Sequence, residues 1–193
     1  MESIQQAALG IVERYGFEYL TTTKLAERVG ISIGSFYEYF PNKEAVLLSL
    51  FESASTDAAN KVRELMPEMF ELPIEQSIPL ALKTLYEVHA NNRLVLIDLF
   101  VKVPELQKTV LPITYDSLIQ GVARAYIDFL GVKLSPREMQ HTKFFMNHMV
   151  MGSVRHYITS NPTFMSPEEF IDNLSEIIIN YIQGVLIPKT HSG

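Results

Sequence analysis

The side chains most able to do chemistry sit together near the N-terminus, in the run Thr21-Thr22-Thr23-Lys24-Leu25-Ala26-Glu27-Arg28-Val29-Gly30-Ile31-Ser32-Ile33-Gly34-Ser35-Phe36-Tyr37-Glu38-Tyr39-Phe40. It reads as two short helices joined by a glycine turn. Such a unit needs a small residue where the helices cross, a glycine free to turn left-handed, and apolar residues that lock one helix on the other. Ala26, Gly30, Ile31 and Phe36 stand at those places. What a locked helix-turn-helix can do is noncovalent: the N-terminal part of its second helix fits a major groove while its neighbours grip phosphates. Gly34 supports that reading. In the first turn of a helix it costs about 1 kcal/mol relative to alanine, which makes sense where something must come close to the backbone.

Covalent and metal chemistry find no comparable constellation. The chain has no Gly-x-Ser-x-Gly elbow, no glycine-rich phosphate loop and no His-Glu-x-x-His signature, so it is expected not to be an enzyme and to carry no cofactor. His141, His148 and His156 recur at near-helical spacing. With no cysteine in the chain and no clear carboxylate partner, they read as solvated or core histidines rather than metal ligands.

The elements that must hold these residues are helical. Apolar residues recur at helical spacing nearly throughout, and no stretch alternates long enough for a half-buried strand, so an all-α fold of about nine helices is expected. A first helix presents Ile4, Ala8, Ile11, Val12 and Tyr15 on one face and stops at Gly16. The second, capped by Thr22 or Thr23, turns Leu25, Ala26 and Val29 inward and ends at Gly30. Ser32 caps a third that presents Phe36 and Phe40, and Asn42 caps a fourth that runs to about Met66. Beyond Pro67, the prolines Pro73, Pro79, Pro104 and Pro112 punctuate apolar segments, with three helices expected between 72 and 131. Ser135-Pro136-Arg137-Glu138 and Ser166-Pro167-Glu168-Glu169 each join a capping serine, a proline at the first helical position and a glutamate placed to cap back. They predict helices over 136–159 and 167–187. The expected division is a helix-turn-helix domain over 1–48 and a helical ligand-binding and dimerisation domain over 49–193.

Composition bounds the class. With 193 residues, 47% of them hydrophobic, the chain can bury the cores of one small and one ordinary domain. Lacking cysteine, it must fold by packing, which suits a reducing compartment. Its start has no basic stretch before an apolar run, and no apolar run reaches roughly eighteen residues, so a cytoplasmic protein with no membrane partner is expected. The net charge of −6 runs against a polyanionic partner. Even residues 1–45 set Arg14, Lys24, Arg28 and Lys43 against Glu2, Glu13, Glu18, Glu27, Glu38 and Glu44. Any DNA reading rests on geometry, not bulk charge.

From Ala7 to Phe51 the run AALGIVERYGFEYLTTTKLAERVGISIGSFYEYFPNKEAVLLSLF resembles the DNA-binding domain of the TetR/AcrR family of transcriptional regulators. That family's hallmark is a helix-turn-helix ending in Tyr-x-x-Phe-x-x-Lys-Glu, and Tyr37, Phe40, Lys43 and Glu44 keep the spacing. The resemblance implies that Thr22, Thr23 and Lys43 meet phosphates through hydroxyls, helix N-termini and positive charge, with Lys24 and the capping Ser32 beside them. It also implies that Gly34 and Ser35 bring backbone and a hydroxyl to base edges, and that Tyr37 and Tyr39 reach backbone or thymine methyls. Ile33 departs from the lysine most often found before that glycine; it forgoes a phosphate contact and can touch an apolar base edge instead. No basic arm precedes the first helix, which implies modest and strongly salt-dependent affinity.

Over the remaining two thirds the resemblance is one of architecture. It implies an apolar cavity, for which Tyr86, His89, Phe100, Tyr115, Phe144 and His148 are candidate wall residues, with ordinary core packing as the alternative for each. The final helix is apolar on more than one face: Phe170, Leu174, Ile178, Tyr181 and Val185 form a stripe that Ile171, Ile177, Ile179 and Ile182 broaden. Either a partner subunit covers the second face or the helix is fully buried within one chain. The resemblance favours a homodimer joined by the last two helices. Gly152 and Gly184 would let backbones approach there, with His156, Ile178, Tyr181, Ile182 and Val185 at the interface.

The expected protein is a homodimeric transcriptional repressor, released from a pseudo-palindromic double-stranded DNA operator by a small-molecule effector. Two alternatives stay open. One is an activator with the same DNA grip; the other is a helical ligand-binding or interaction protein with weakened DNA binding, suggested by the acidic head, Ile33 and the missing arm.

Overall fold

The computed structural model describes residues 1–103, 106, 121 and 124–186, the side chains of Phe100, Val185 and Leu186 excepted. The described residues form helices and their connections, with no strand among them, as the helical spacing predicts. The chain divides into two compact units. One holds Met1–Asp57 with the described part of Asn92–Thr114, the other Ala58–Asn91 with the described part of Tyr115–Gly193.

The first unit is built on α1 (Glu2–Tyr15), α2 (Thr22–Val29), α3 (Ile33–Tyr39) and the start of α4 (Lys43–Glu64). α1 buries Ile4, Ala7, Ala8, Ile11 and Val12 on one face, the spacing of an amphipathic helix. α2 starts differently from expectation: Thr21 is its N-cap, the side-chain oxygen accepting the Lys24 N–H at 3.2 Å. Thr22 and Thr23 therefore fall in the first helical turn and cap nothing. At the other end Gly30 adopts φ 77 and ψ 34, and the Ile31 N–H reaches back to the Ala26 carbonyl at 3.0 Å. This is a Schellman turn, which glycine enters without a Cβ penalty. Ser32 caps α3 by accepting the Ser35 N–H at 3.0 Å, and Asn42 caps α4 by accepting the Ala45 N–H at 2.8 Å. Leu20, Leu25, Phe36 and Val46 are wholly buried where these helices meet. A later stretch completes this core. A π-helical turn, Leu94–Asp98, runs into α7 (Leu99–Lys102), and its Leu94 and Leu99 share an apolar crevice with Leu9, Val12, Phe17 and Leu47.

The second unit contains the end of α4, α5 (Met66–Glu71), α6 (Ile74–Asn91), a helical run over 124–129, α8 (Pro136–Ser160) and α9 (Pro167–Tyr181). α9 continues as a π-helical turn, Ile182–Leu186. Both expected capping boxes form: Ser135 accepts the Glu138 N–H while Glu138 accepts the Ser135 N–H, and Ser166 and Glu169 repeat the exchange. Each removes two orphan donors from a helix start. Pro79 does not end a helix but lies inside α6. α6 packs on α5, α8 and α9, burying Ile78, Leu82, Leu85 and Val88. Tyr86, Tyr157 and Phe170 tie α6, α8 and α9 together: the Tyr157 ring lies 5.9 Å from Tyr86 and 4.2 Å from Phe170. The Tyr157 hydroxyl also donates to the Met165 carbonyl at 2.8 Å, holding the α8–α9 connection.

Candidate nucleic-acid interface

On α3, Ile33 and Tyr37 share one strip and Gly34 and Glu38 the next, because residues four apart are neighbours on a helix. Phe36, wholly buried, anchors the helix and leaves Ile33, Tyr37 and Tyr39 about half exposed. Two apolar or aromatic side chains on one short exposed strip form a surface able to meet base edges. Gly34 lies beside them, exposed, and a Cβ built there would meet only the Ser32 hydroxyl, at an ordinary 3.6 Å. Nothing among the described residues therefore calls for glycine at 34.

The neighbouring elements add polar groups to this surface. The Thr22 and Tyr37 hydroxyls are 3.3 Å apart, so the first turn of α2 joins the exposed strip of α3. Ser32 and Ser35 hydroxyls pair at 3.0 Å. Lys24 donates from Nζ to the Tyr19 carbonyl at 3.2 Å and lies 5.2 Å over the Tyr19 ring, which fixes its ammonium beside the start of α2. Thr23 is exposed, and Lys43, half-buried, opens α4. Sequence reasoning passed over two members of this surface. Tyr19 positions Lys24, and Glu38, four residues after Gly34, places a carboxylate on the exposed side of α3. The helical register alone carried the signal for Glu38.

The second unit holds a half-open cavity of about 130 Å³. α6 contributes Ile78, Leu82 and Leu85, α8 contributes Thr142 and Met146, and α9 contributes Ile178. Lys143 is the one cation among the lining residues. Tyr126 also lines it, but its hydroxyl is bonded to the buried Ser77 hydroxyl, and burial pushes the phenol pKa up. None of the four described candidates for the wall lines this cavity. Tyr86 belongs to the aromatic cluster with Tyr157 and Phe170. His89 is wholly buried, with Nδ1 2.6 Å from the Leu85 carbonyl, and burial holds its pKa down to about 4. Phe144 and His148 are exposed, their rings 4.2 Å apart. The Phe100 side chain and Tyr115 lie outside the described residues.

Residues 4–50 match the sequence profile of the family described as bacterial regulatory proteins, tetR family. The fold agrees over the whole length: FadR of Thermus thermophilus, a TetR-family transcriptional repressor crystallised with lauroyl-CoA, superposes with a TM-score of 0.68, covering 100% of this chain and 98% of that one at 20% identity. Residues 4–50 form a DNA-binding domain of the TetR type. Among other relatives, the fatty acid metabolism regulator protein of Bacillus subtilis is 25% identical over 171 residues, 81% of this chain and 80% of that protein. FadR of Bacillus subtilis in complex with stearoyl-CoA has a TM-score of 0.59 at 18% identity, covering 94% of this chain and 96% of that one.

The matched segment is the helix-turn-helix by which bacterial regulatory proteins of the tetR type are recognised. The residues assigned to a subunit interface fall into two groups. Gly152, His156 and Gly184 are exposed and Tyr181 is half-buried. Among the described residues a Cβ at either glycine would meet nothing within 4 Å, so no close approach between them uses these glycines. Ile178 and Ile182 are instead buried in their own chain and line the cavity, and the Val185 side chain lies outside the described residues. Phe144, Phe145 and Ile177 add large exposed apolar groups to α8 and α9; of these, only Ile177 stands in the broadened stripe for which the sequence predicts a partner's cover. Among the described residues no group of three His, Cys, Asp or Glu side chains is placed to hold a metal ion, and no helix is long and apolar enough to cross a membrane.

Proposed function

We propose that the chain is a TetR-family regulator, a cytoplasmic homodimer that represses transcription from a pseudo-palindromic operator and releases it when an effector of the fatty acyl-CoA class enters the cavity of the second unit. The observation that carries the DNA half is Gly34: the chain keeps an exposed helical glycine that its own packing does not require, on the strip that also bears Ile33 and Tyr37. In this reading Thr22, Thr23, Lys24, Ser32 and Lys43 position the head on phosphates, while Ile33, Gly34, Ser35, Tyr37 and Tyr39 face base edges. The effector class is supported by the apolar cavity together with its lone lysine, and by the acyl-CoA complexes of the two FadR proteins.

The functional division is a DNA-binding domain over 1–48 and an effector and dimerisation domain over 49–193. Gly152, His156, Tyr181 and Gly184 form the subunit contact with Phe144, Phe145 and Ile177, since exposed apolar groups on two helices of a stable fold ask for cover. Two covalent links carry an effector-driven shift to the head. α4 runs from one unit into the other, and α6, which lines the cavity, continues into the 94–102 stretch that completes the head's core.

A gel-shift with the DNA upstream of its own gene tests the reading. Binding is expected to fall steeply with salt and to be lost on adding acyl-CoA. Absence of salt-sensitive binding to any such fragment would remove the repressor reading. The acidic balance of residues 1–45 supports one rival, an effector-binding protein that no longer holds an operator. Its mark would be a Tyr37→Ala, Lys43→Ala double variant with unchanged function in the cell. An activator with the same grip would show itself by lower, not higher, target transcript when the gene is deleted.

A further inference from the structure

We infer that the cavity accepts an acyl tail to a depth of about six carbons, making the effector a short- to medium-chain acyl thioester rather than a long-chain one; the inference rests on the acyl-CoA reading above. Its volume is about 130 Å³. A dry cavity of about 150 Å³ with leucine, isoleucine and phenylalanine walls holds a benzene-sized guest of six carbons. A lauroyl tail has twice as many carbons as such a guest. The exposed wall surface is almost wholly apolar: the hydroxyl of Tyr126 is committed to Ser77 and Thr142 carries the one other hydroxyl among the lining residues, so a polar or hydroxylated tail would find little to bond its oxygen. Leu82, Ile178 and Ile182 are buried core residues, held by packing that resists expansion. Met146 is the long, half-buried wall residue, and its truncation would lengthen the space. Lys143, alone in charge among the lining residues, suits the phosphates or thioester end of a CoA conjugate.

Titration calorimetry of the full chain with CoA, butyryl-, hexanoyl-, octanoyl-, lauroyl- and stearoyl-CoA tests the limit. Each buried methylene strengthens binding about fourfold. Affinity is therefore expected to climb from CoA to hexanoyl-CoA, level off near octanoyl-CoA and gain nothing at lauroyl- or stearoyl-CoA. Met146→Ala should move the break two or more carbons further, while the volume-conserving Met146→Leu leaves it in place. Ala81→Leu, which fills the cavity from α6, should bring hexanoyl-CoA down to the affinity of butyryl-CoA. An affinity that rises steadily through lauroyl-CoA, or a break that none of these variants moves, overturns the length limit and leaves the effector class standing. Equal binding of CoA and all its thioesters, or no binding, overturns the effector class itself.

Discussion

The head and the second unit place their function-bearing groups by different means. In the head the helix caps are each set by a neighbour three residues away: Thr21 by Lys24, Ser32 by Ser35, Asn42 by Ala45. The second unit has such local caps at Ser135 and Ser166, but it adds contacts that span the chain, with Ser77 bonded to Tyr126 across 49 positions and Gln183 donating to Glu75 across 108. Local contacts form wherever the short motif occurs, whereas a cavity wall exists only once distant helices have packed. A DNA grip of this kind survives broad sequence drift outside its own segment. An effector site drifts with every change in helix packing, so its chemistry is particular to this chain.

That contrast is broken most forcefully at the core of the head. Phe36 is wholly buried, and Phe36→Ala is expected to cost about 3–5 kcal/mol. Operator binding should disappear and the first unit should melt early by circular dichroism, while acyl-CoA binding persists. Loss of both together would show that the units do not hold their folds independently. The second unit has its own weak point in His89. Burial is the main cause of its pKa falling from 6.5 to about 4, the Leu85 carbonyl opposing and Arg155 assisting. The unfolded chain thus binds the proton first as pH falls. The stabilisation is complete above about pH 6.5, is lost progressively from there to about pH 4, and amounts to about 3 kcal/mol. Residues 1–57 contain no histidine, so melts at pH 7 and pH 4.5 should differ through the second unit, and His89→Leu should flatten that difference.

How much was legible follows the same line. Helix class, the Gly30 turn, the Ser32 and Asn42 caps and both capping boxes all rest on residues within a few positions of each other, and all are present. The cap of α2 is Thr21, one residue before Thr22 and two before Thr23, because three consecutive threonines offer the same hydroxyl and only the backbone direction at Thr21 selects among them. The cavity was not legible. Its walls include Ile78, Leu82, Leu85 and Ile178, aliphatics whose helical spacing is that of any core, while Tyr86, His89, Phe144 and His148 are not among the lining residues. α9 shows the limit of pattern most plainly. Its two apolar stripes called for two covers, but Ile178 turned inward to the cavity and Ile177 outward, a choice made by α6 rather than by α9 itself.

Smaller effects sharpen the division within the head between holding and reading DNA. Lys43→Ala should weaken binding to all sequences alike and lower the salt slope by about one unit, since it removes a phosphate contact. Tyr37→Ala should cost about 1–3 kcal/mol against the operator, relax the preference at one base pair and leave the salt slope nearly unchanged. Equal losses on operator and random DNA for both variants would reduce Tyr37 to a backbone contact. Glu38→Gln should act in the other direction. Removing a carboxylate from the exposed side of α3 is expected to tighten binding a few-fold at low salt, with the gain vanishing as screening grows.

The smallest expected change in stability belongs to the most decisive substitution. Gly34 has no left-handed backbone to protect, and a Cβ there would lie 3.6 Å from the Ser32 hydroxyl with room to spare. Gly34→Ala should therefore leave the fold intact or stabilise it by up to about 1 kcal/mol, because alanine loses less backbone freedom on entering a helix. If the glycine is present so that DNA can come close to the backbone of α3, the same methyl group must weaken operator binding. A residue kept for folding gives the opposite pair of results: a lower melting temperature and full binding once refolded. Thermal melts and gel-shifts on the one variant read both quantities, and a more stable protein with undiminished operator affinity would leave Gly34 without the role assigned to it.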